Sequence, residues 1–169
     1  QKAAQLFIIT PEALTGFQTV TQAGDATYKA LQEYPVAGLI YFPQNLQNPK
    51  QLKTMTARTQ ELAAGLTQLP LFLSIDEEGG KVARIANHEG FDLPKVDTMA
   101  EIGKSRDISR AYEAGSVIGE YLEELGINLD LAPDADVLTN PDNTVVLDRS
   151  FGSDPVLVTQ MTKAYMKGL

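Results

Sequence analysis

Four short apolar runs, Leu6 to Thr10, Val36 to Phe42, Leu71 to Ile75 and Ile127 to Ala132, narrow most sharply what this chain can fold into. Each has the length of a strand, and none alternates apolar with polar residues. Continuous runs belong to strands covered on both faces, the habit of parallel sheets packed between helices. Between the runs lie segments of helical period. From Lys50 to Leu66, the residues Leu52, Met55, Thr59, Leu62, Ala63 and Leu66 fall on one face. Asn48 and Pro49 supply the start: the Asn side chain accepts an orphan backbone N–H, and Pro at the first helical position gives up a donor that had no partner. Asp154 and Pro155 repeat the device for a last helix through Leu169. Ile108, Ala111, Gly115, Ile118, Leu122 and Leu125 predict a helix over 108–125 that Gly126 ends. A weaker pattern covers Thr21 to Glu33.

Strand and helix thus alternate four times, which predicts a parallel α/β sheet with right-handed crossovers. Two architectures fit. One is an open doubly wound sheet. The other is the first half of a TIM (β/α)8 barrel, truncated after about the fourth βα unit, since a full barrel takes about 250 residues. Thr10-Pro11-Glu12-Ala13-Leu14 follows the first run without the glycine-rich phosphate turn of a dinucleotide-binding unit. With 169 residues, 43% hydrophobic and 21% charged, the chain suits one globular unit. Residues 1–169 are therefore taken as a single domain, which is a partial one if the barrel is the right architecture.

Charge excludes one class of partner. The net charge is −8 and no run of Lys or Arg is present to neutralise a phosphate backbone, so nucleic acid is not expected. There is no cysteine, hence no disulfide framework, thiol nucleophile or cysteine-held metal. No stretch approaches the roughly 20 consecutive apolar residues that span a bilayer. The sequence opens on Gln1 and runs through Leu169 in mid-pattern, so both ends read as cuts.

In either architecture, function gathers where strands end, because the loops there converge. The third run leads into Asp76-Glu77-Glu78-Gly79-Gly80, followed by Lys81 and Arg84. The fourth continues as Asp130-Leu131-Ala132-Pro133-Asp134-Ala135-Asp136 and then reaches Asn140, Asp142, Asn143 and Asp148-Arg149-Ser150-Phe151. Carboxylates and guanidinium groups suit a carbohydrate, whose ring presents adjacent hydroxyls that donate and accept in fixed geometry. Acids in such loops also serve as caps, turn residues or solvated charges. Glu77 and Glu78, being adjacent, do not easily face the same pocket. An all-carboxylate magnesium site is an alternative, but no His accompanies the acids and no metal or cofactor is expected. His88, the one histidine, lies in a polar stretch with no partner acid implied, and Ser74 and Ser150 lack the context of an elbow nucleophile.

Three segments together resemble glycoside hydrolase family 3: Ile75-Asp76-Glu77-Glu78-Gly79-Gly80-Lys81-Val82-Ala83-Arg84, Gly126 through Val137, and Asp148-Arg149-Ser150-Phe151-Gly152-Ser153-Asp154-Pro155. Gly38 to Phe42 adds to the match. The last of the three segments, together with Asn140-Pro141-Asp142-Asn143, resembles the bacterial β-N-acetylhexosaminidase branch more than the β-glucosidase branch. The resemblance implies a (β/α)8 barrel and makes Asp76, Arg84 and Arg149 matches for residues that hydrogen-bond the sugar where the bond breaks. Two positions depart from the pattern: Lys81 stands where Arg is frequent, and Asp134 where an apolar residue is usual.

The same resemblance places catalysis outside these residues. The branch carries a Lys-His-Phe-Pro-Gly-His-Gly segment after its fifth strand and an Asp nucleophile on a later one, and neither is found here. It implies a retaining mechanism through a glycosyl-enzyme intermediate, with His in the acid–base role. The expectation is a parent enzyme that releases terminal β-linked N-acetylglucosamine, and a 169-residue piece that binds part of the sugar without turning it over. Alternatives are a β-glucosidase, a non-catalytic sugar-binding or assembly module, and a magnesium-dependent barrel enzyme. A half barrel exposes two strand edges, so self-association or cover by the missing half is expected as well.

Overall fold

The computed structural model describes residues 2–169. In chain order the elements are β1 (Ile8–Ile9), α1 (Pro11–Thr15), α2 (Asp25–Glu33), β2 (Gly38–Ile40), α3 (Pro49–Thr67), β3 (Phe72–Ile75), β4 (Glu77–Gly79), β5 (Val82–Ala83), α4 (Met99–Ser105), α5 (Ile108–Glu124), β6 (Leu129–Asp130) and α6 (Pro155–Gly168). A 3-10 turn over Leu147–Arg149 precedes α6. Contacts gather these elements into two units. The first holds the described residues up to Ile75 with His88–Phe91 and Leu122–Asp130; the second holds Asp76–Asn87, Asp92–Tyr121 and Leu131–Leu169.

The first unit contains a four-stranded sheet in the order β1-β2-β3-β6, every pair parallel. A doubly wound sheet reverses its strand order at a switch point, whereas this sheet adds each strand to the same edge. That one-way winding is the pattern of the first half of a (β/α)8 barrel. It settles the choice that periodicity left open.

Capping explains where the helices start. Asn48 Oδ1 accepts the Gln51 amide at 3.0 Å and Pro49 opens α3. Asp154 accepts the Val156 and Leu157 amides ahead of Pro155. Gly126, at φ +76°, ends the segment after α5, where the Thr56 hydroxyl donates to the Leu125 carbonyl at 2.8 Å. Two short helices were not anticipated. Thr10 caps α1 ahead of Pro11, and Thr98 with Glu101 forms a reciprocal capping box on α4.

Coverage of the sheet on both faces holds only toward the strand ends. Leu39, Leu73, Ser74 and Ile75 are buried. In the row Ile8–Gly38–Phe72 the glycine is buried, but Ile8 is 37% and Phe72 52% exposed. Successive rows face opposite sides of a pleated sheet, so these two side chains leave their face incompletely covered where β3 begins. The continuous apolar runs thus overstate the cover, and β1 and β6 are free edges within the described sheet.

The second unit packs α4, α5 and α6 around Met99, Ile102, Ala111, Ile118, Phe151, Met161 and Tyr165, all at most 2% exposed. Glycine sets the closeness of α5 and α6. A Cβ on Gly115 would lie 2.1 Å from the Tyr165 carbonyl oxygen, and one on Gly168 would lie 2.1 Å from that of Tyr112. The backbones approach where no side chain intervenes. Among the described residues, no helix is long and apolar enough to cross a membrane.

Candidate functional site

Asp76 follows β3 directly and opens the second unit. The next residues form an antiparallel hairpin, β4–β5, with Glu77 opposite Ala83, Gly79 opposite Val82 and an irregularity between. Gly79 and Gly80 have φ of +92° and +55°, values that L residues adopt at a cost. A Cβ on Gly80 would also come within 2.8 Å of the Thr98 methyl. The glycine pair is therefore a turn requirement rather than a flexible link.

Glu77 and Glu78 take different partners, as alternation along a strand dictates. Glu77 is fully buried. Its Oε2 accepts the Ile85 amide at 2.8 Å, and its Oε1 accepts the Ala86 amide at 2.9 Å and the Tyr121 hydroxyl at 2.8 Å. The Tyr165 hydroxyl donates to the Glu77 carbonyl at 3.2 Å. Burial pushes the Glu77 carboxyl above the usual glutamate range, against the opposing pull of those hydrogen bonds. Its grip falls on the residues directly after Arg84, so it fixes the backbone from which that guanidinium projects.

Arg84 reaches back to Asp76, Nη2 to Oδ2, at 3.2 Å. Both side chains keep access to solvent, at 32% and 24% exposure. Arg84 Nε is shielded from solvent and has no acceptor among the described residues.

Arg149 meets Glu78 as a two-pronged pair: Nε donates to Oε2 at 2.8 Å and Nη2 to Oε1 at 2.7 Å. Nη1 donates to the Val145 carbonyl at 3.3 Å. Asp134 Oδ2 lies 3.6 Å from the same Nη2. The hydrogen bonds to Glu78, and the charges of Glu78, Asp134 and Asp76, hold Arg149 more firmly protonated than a free arginine. Lys81 pairs with Asp148 at 2.7 Å, so hairpin and 3-10 turn are tied at two points.

Several acids and amides singled out from the sequence serve turns instead. Asn140 Oδ1 accepts the Asp142 amide and Asn143 Oδ1 accepts those of Val145 and Val146. Asp134 does both jobs, its Oδ1 accepting the Asp136 amide at 2.8 Å. Ser150 is buried and donates to the Asp136 carbonyl, while Ser74 donates to that of Leu39. His88, in the first unit, accepts the Gly90 amide on Nδ1 and stacks edge-on against Phe91. Among the described residues, no three His, Asp or Glu side chains gather closely enough to hold a metal ion. Sequence reasoning missed the partners of Glu77, Glu78 and Asp134. Strand alternation from Ile75 through Gly79 was the one signal that separates the two glutamates.

A sheet wound in one direction, with charged segments following its third and fourth strands, is the arrangement of a (β/α)8-barrel protein. The chain belongs to glycosyl hydrolase family 3: the family's N terminal domain matches residues 1–169. Beta-hexosaminidase A of Pseudoalteromonas piscicida is 39% identical over 139 residues, covering 81% of this chain and 23% of that protein. A glycoside hydrolase family 3 β-N-acetylglucosaminidase from Paenibacillus sp. strain FPU-7 superposes with a TM-score of 0.83 at 35% identity, over 99% of this chain and 30% of that one. NagZ from Neisseria gonorrhoeae, solved with N-trifluoroacetyl-D-glucosamine, does so at 0.77 and 30% identity, over 89% and 44%. The chain thus spans less than half the length of these relatives.

Proposed function

We propose that the protein carrying this chain hydrolyses terminal β-linked N-acetylglucosamine with retention through a glycosyl-enzyme intermediate. Residues 1–169 act as one partial barrel domain. Asp76, Arg84 and Arg149 bind the sugar at the bond to be broken, with nucleophile and acid–base group supplied by other residues of the longer protein. The observation that carries this reading is that all three side chains belong to one unit and stay partly exposed, while carboxylate–guanidinium pairing fixes their direction. Groups held in place before the ligand arrives lose little entropy on binding and can tighten on the distorted ring. The hexosaminidase names of the relatives support the choice of sugar.

The free edges β1 and β6 and the exposed side chains of Ile8 and Phe72 call for cover. In the longer protein the rest of the barrel supplies it; in the 169-residue chain alone, a second copy does. The test compares release of an aryl leaving group from β-N-acetylglucosaminide by the 169-residue chain and by the chain extended to the natural end of its gene, with the β-glucoside as control. Turnover of the N-acetylglucosaminide by the extended protein alone is expected, with the short chain larger than a monomer by light scattering. Preference for the glucoside, or no turnover by the extended protein, contradicts the proposal.

A further inference from the structure

Arg149 carries five N–H donors. Two are taken by Glu78 and one by the Val145 carbonyl. Of the two left, the one on Nη2 shares its nitrogen with the Glu78 bond and faces Asp134 at 3.6 Å. A ligand is left with a single unencumbered donor, on Nη1. The charge is spent as well: Glu78 and Asp134 place two carboxylates on one guanidinium, both with side chains under a tenth exposed. The other cations of the unit's site are paired too, Arg84 with Asp76 and Lys81 with Asp148.

We propose that Asp134 is a specificity-determining residue. Acting through Arg149, it turns this guanidinium from an anion-binding fork into a single donor for a neutral oxygen. The site thereby accepts an uncharged sugar hydroxyl or amide carbonyl and rejects phosphate or carboxylate groups. This rests on the reading of Arg149 as a sugar ligand. The three-residue group Glu78, Asp134 and Arg149 carries a net charge of about −1, so an anion entering it meets repulsion that a neutral acceptor does not. Arginine with one carboxylate partner or none is, by contrast, a strong oxyanion receptor.

Asp134→Asn separates charge from architecture, because an Asn side-chain oxygen still accepts the Asp136 amide that Asp134 accepts now. In the extended protein, at fixed ionic strength, inhibition of N-acetylglucosaminide turnover is measured with N-acetylglucosamine and with inorganic phosphate. The wild type is expected to be inhibited by the sugar and only weakly by phosphate. The D134N variant should keep its sugar affinity within about threefold and gain roughly tenfold for phosphate, as loss of one nearby charge in a half-buried site allows. Adding R149M to D134N should abolish the gain. Unchanged phosphate inhibition in D134N, or a gain that survives without Arg149, overturns the inference. Wild type that the sugar does not inhibit overturns the reading beneath it instead.

Discussion

Replacing Arg149 by methionine is expected to lower stability by about 3 kcal/mol and kcat/KM of the extended protein by about 10²-fold, the largest double effect of any single change in the site. The stability loss comes from Glu78. Its side chain is 6% exposed and both oxygens are bonded to the guanidinium, so truncating the arginine leaves a largely buried carboxylate without its partner. Breaking such a pair costs about 3–5 kcal/mol, reduced here because Arg149 is 30% exposed and solvent enters the gap. A compensating variant separates the two effects. E78L/R149M removes the stranded charge and should recover most of the stability while activity stays low, since replacing both ends of a buried pair by apolar groups is often neutral. Denaturant unfolding and kinetics on the same preparations decide this. If the double variant is no more stable than R149M, the stranded carboxylate is not the cause.

Glu77→Ala should destabilise by about 3–5 kcal/mol, because it orphans two buried amides, Ile85 and Ala86, and the Tyr121 hydroxyl together. Its effect on activity should track unfolding rather than chemistry. The carboxyl also titrates with a definite sign. Its native pKa is raised above the ordinary value of 4.5, chiefly by burial. The stability contributed by its protonated form is fully present below 4.5 and is lost as the pH rises through the raised native value. Stability of the wild type relative to the neutral Glu77→Gln variant should therefore fall as pH increases upward from 4.5. Melting temperatures of the two proteins between pH 4 and 8 test it; a difference that grows with pH contradicts the assignment.

Much of the architecture was legible because it is encoded locally. The four apolar runs became β1, β2, β3 and β6, and the Asn48-Pro49 and Asp154-Pro155 devices marked α3 and α6. Local patterns say little about neighbours, so the one-way strand order that distinguishes a barrel from a doubly wound sheet had to come from the pairing itself. The β4–β5 hairpin was hidden because Glu77, Glu78 and Gly79 are poor strand formers held by the positive φ of Gly79 and Gly80 and by anchors such as Tyr121. Within the site, Asp76, Arg84 and Arg149 stood out by family resemblance. Their partners did not, since Glu78 and Arg149 are 71 residues apart and no spacing rule connects them. Asp134 read as a departure from the pattern, and only its 3.6 Å approach to Arg149 gives that departure a physical consequence.

The most direct measurement is steady-state kinetics of Asp76→Ala in the extended protein on aryl β-N-acetylglucosaminide, with unfolding followed in parallel. Asp76 pairs with Arg84 at a partly exposed position, so its loss should alter stability by under about 1 kcal/mol. Loss of a charged hydrogen bond to the substrate should lower kcat/KM by about 10²-fold. That split, a large kinetic effect on an intact fold, is the expected result. Unchanged turnover and affinity would show that Asp76 does not touch the sugar and would contradict the sugar site proposed for this chain.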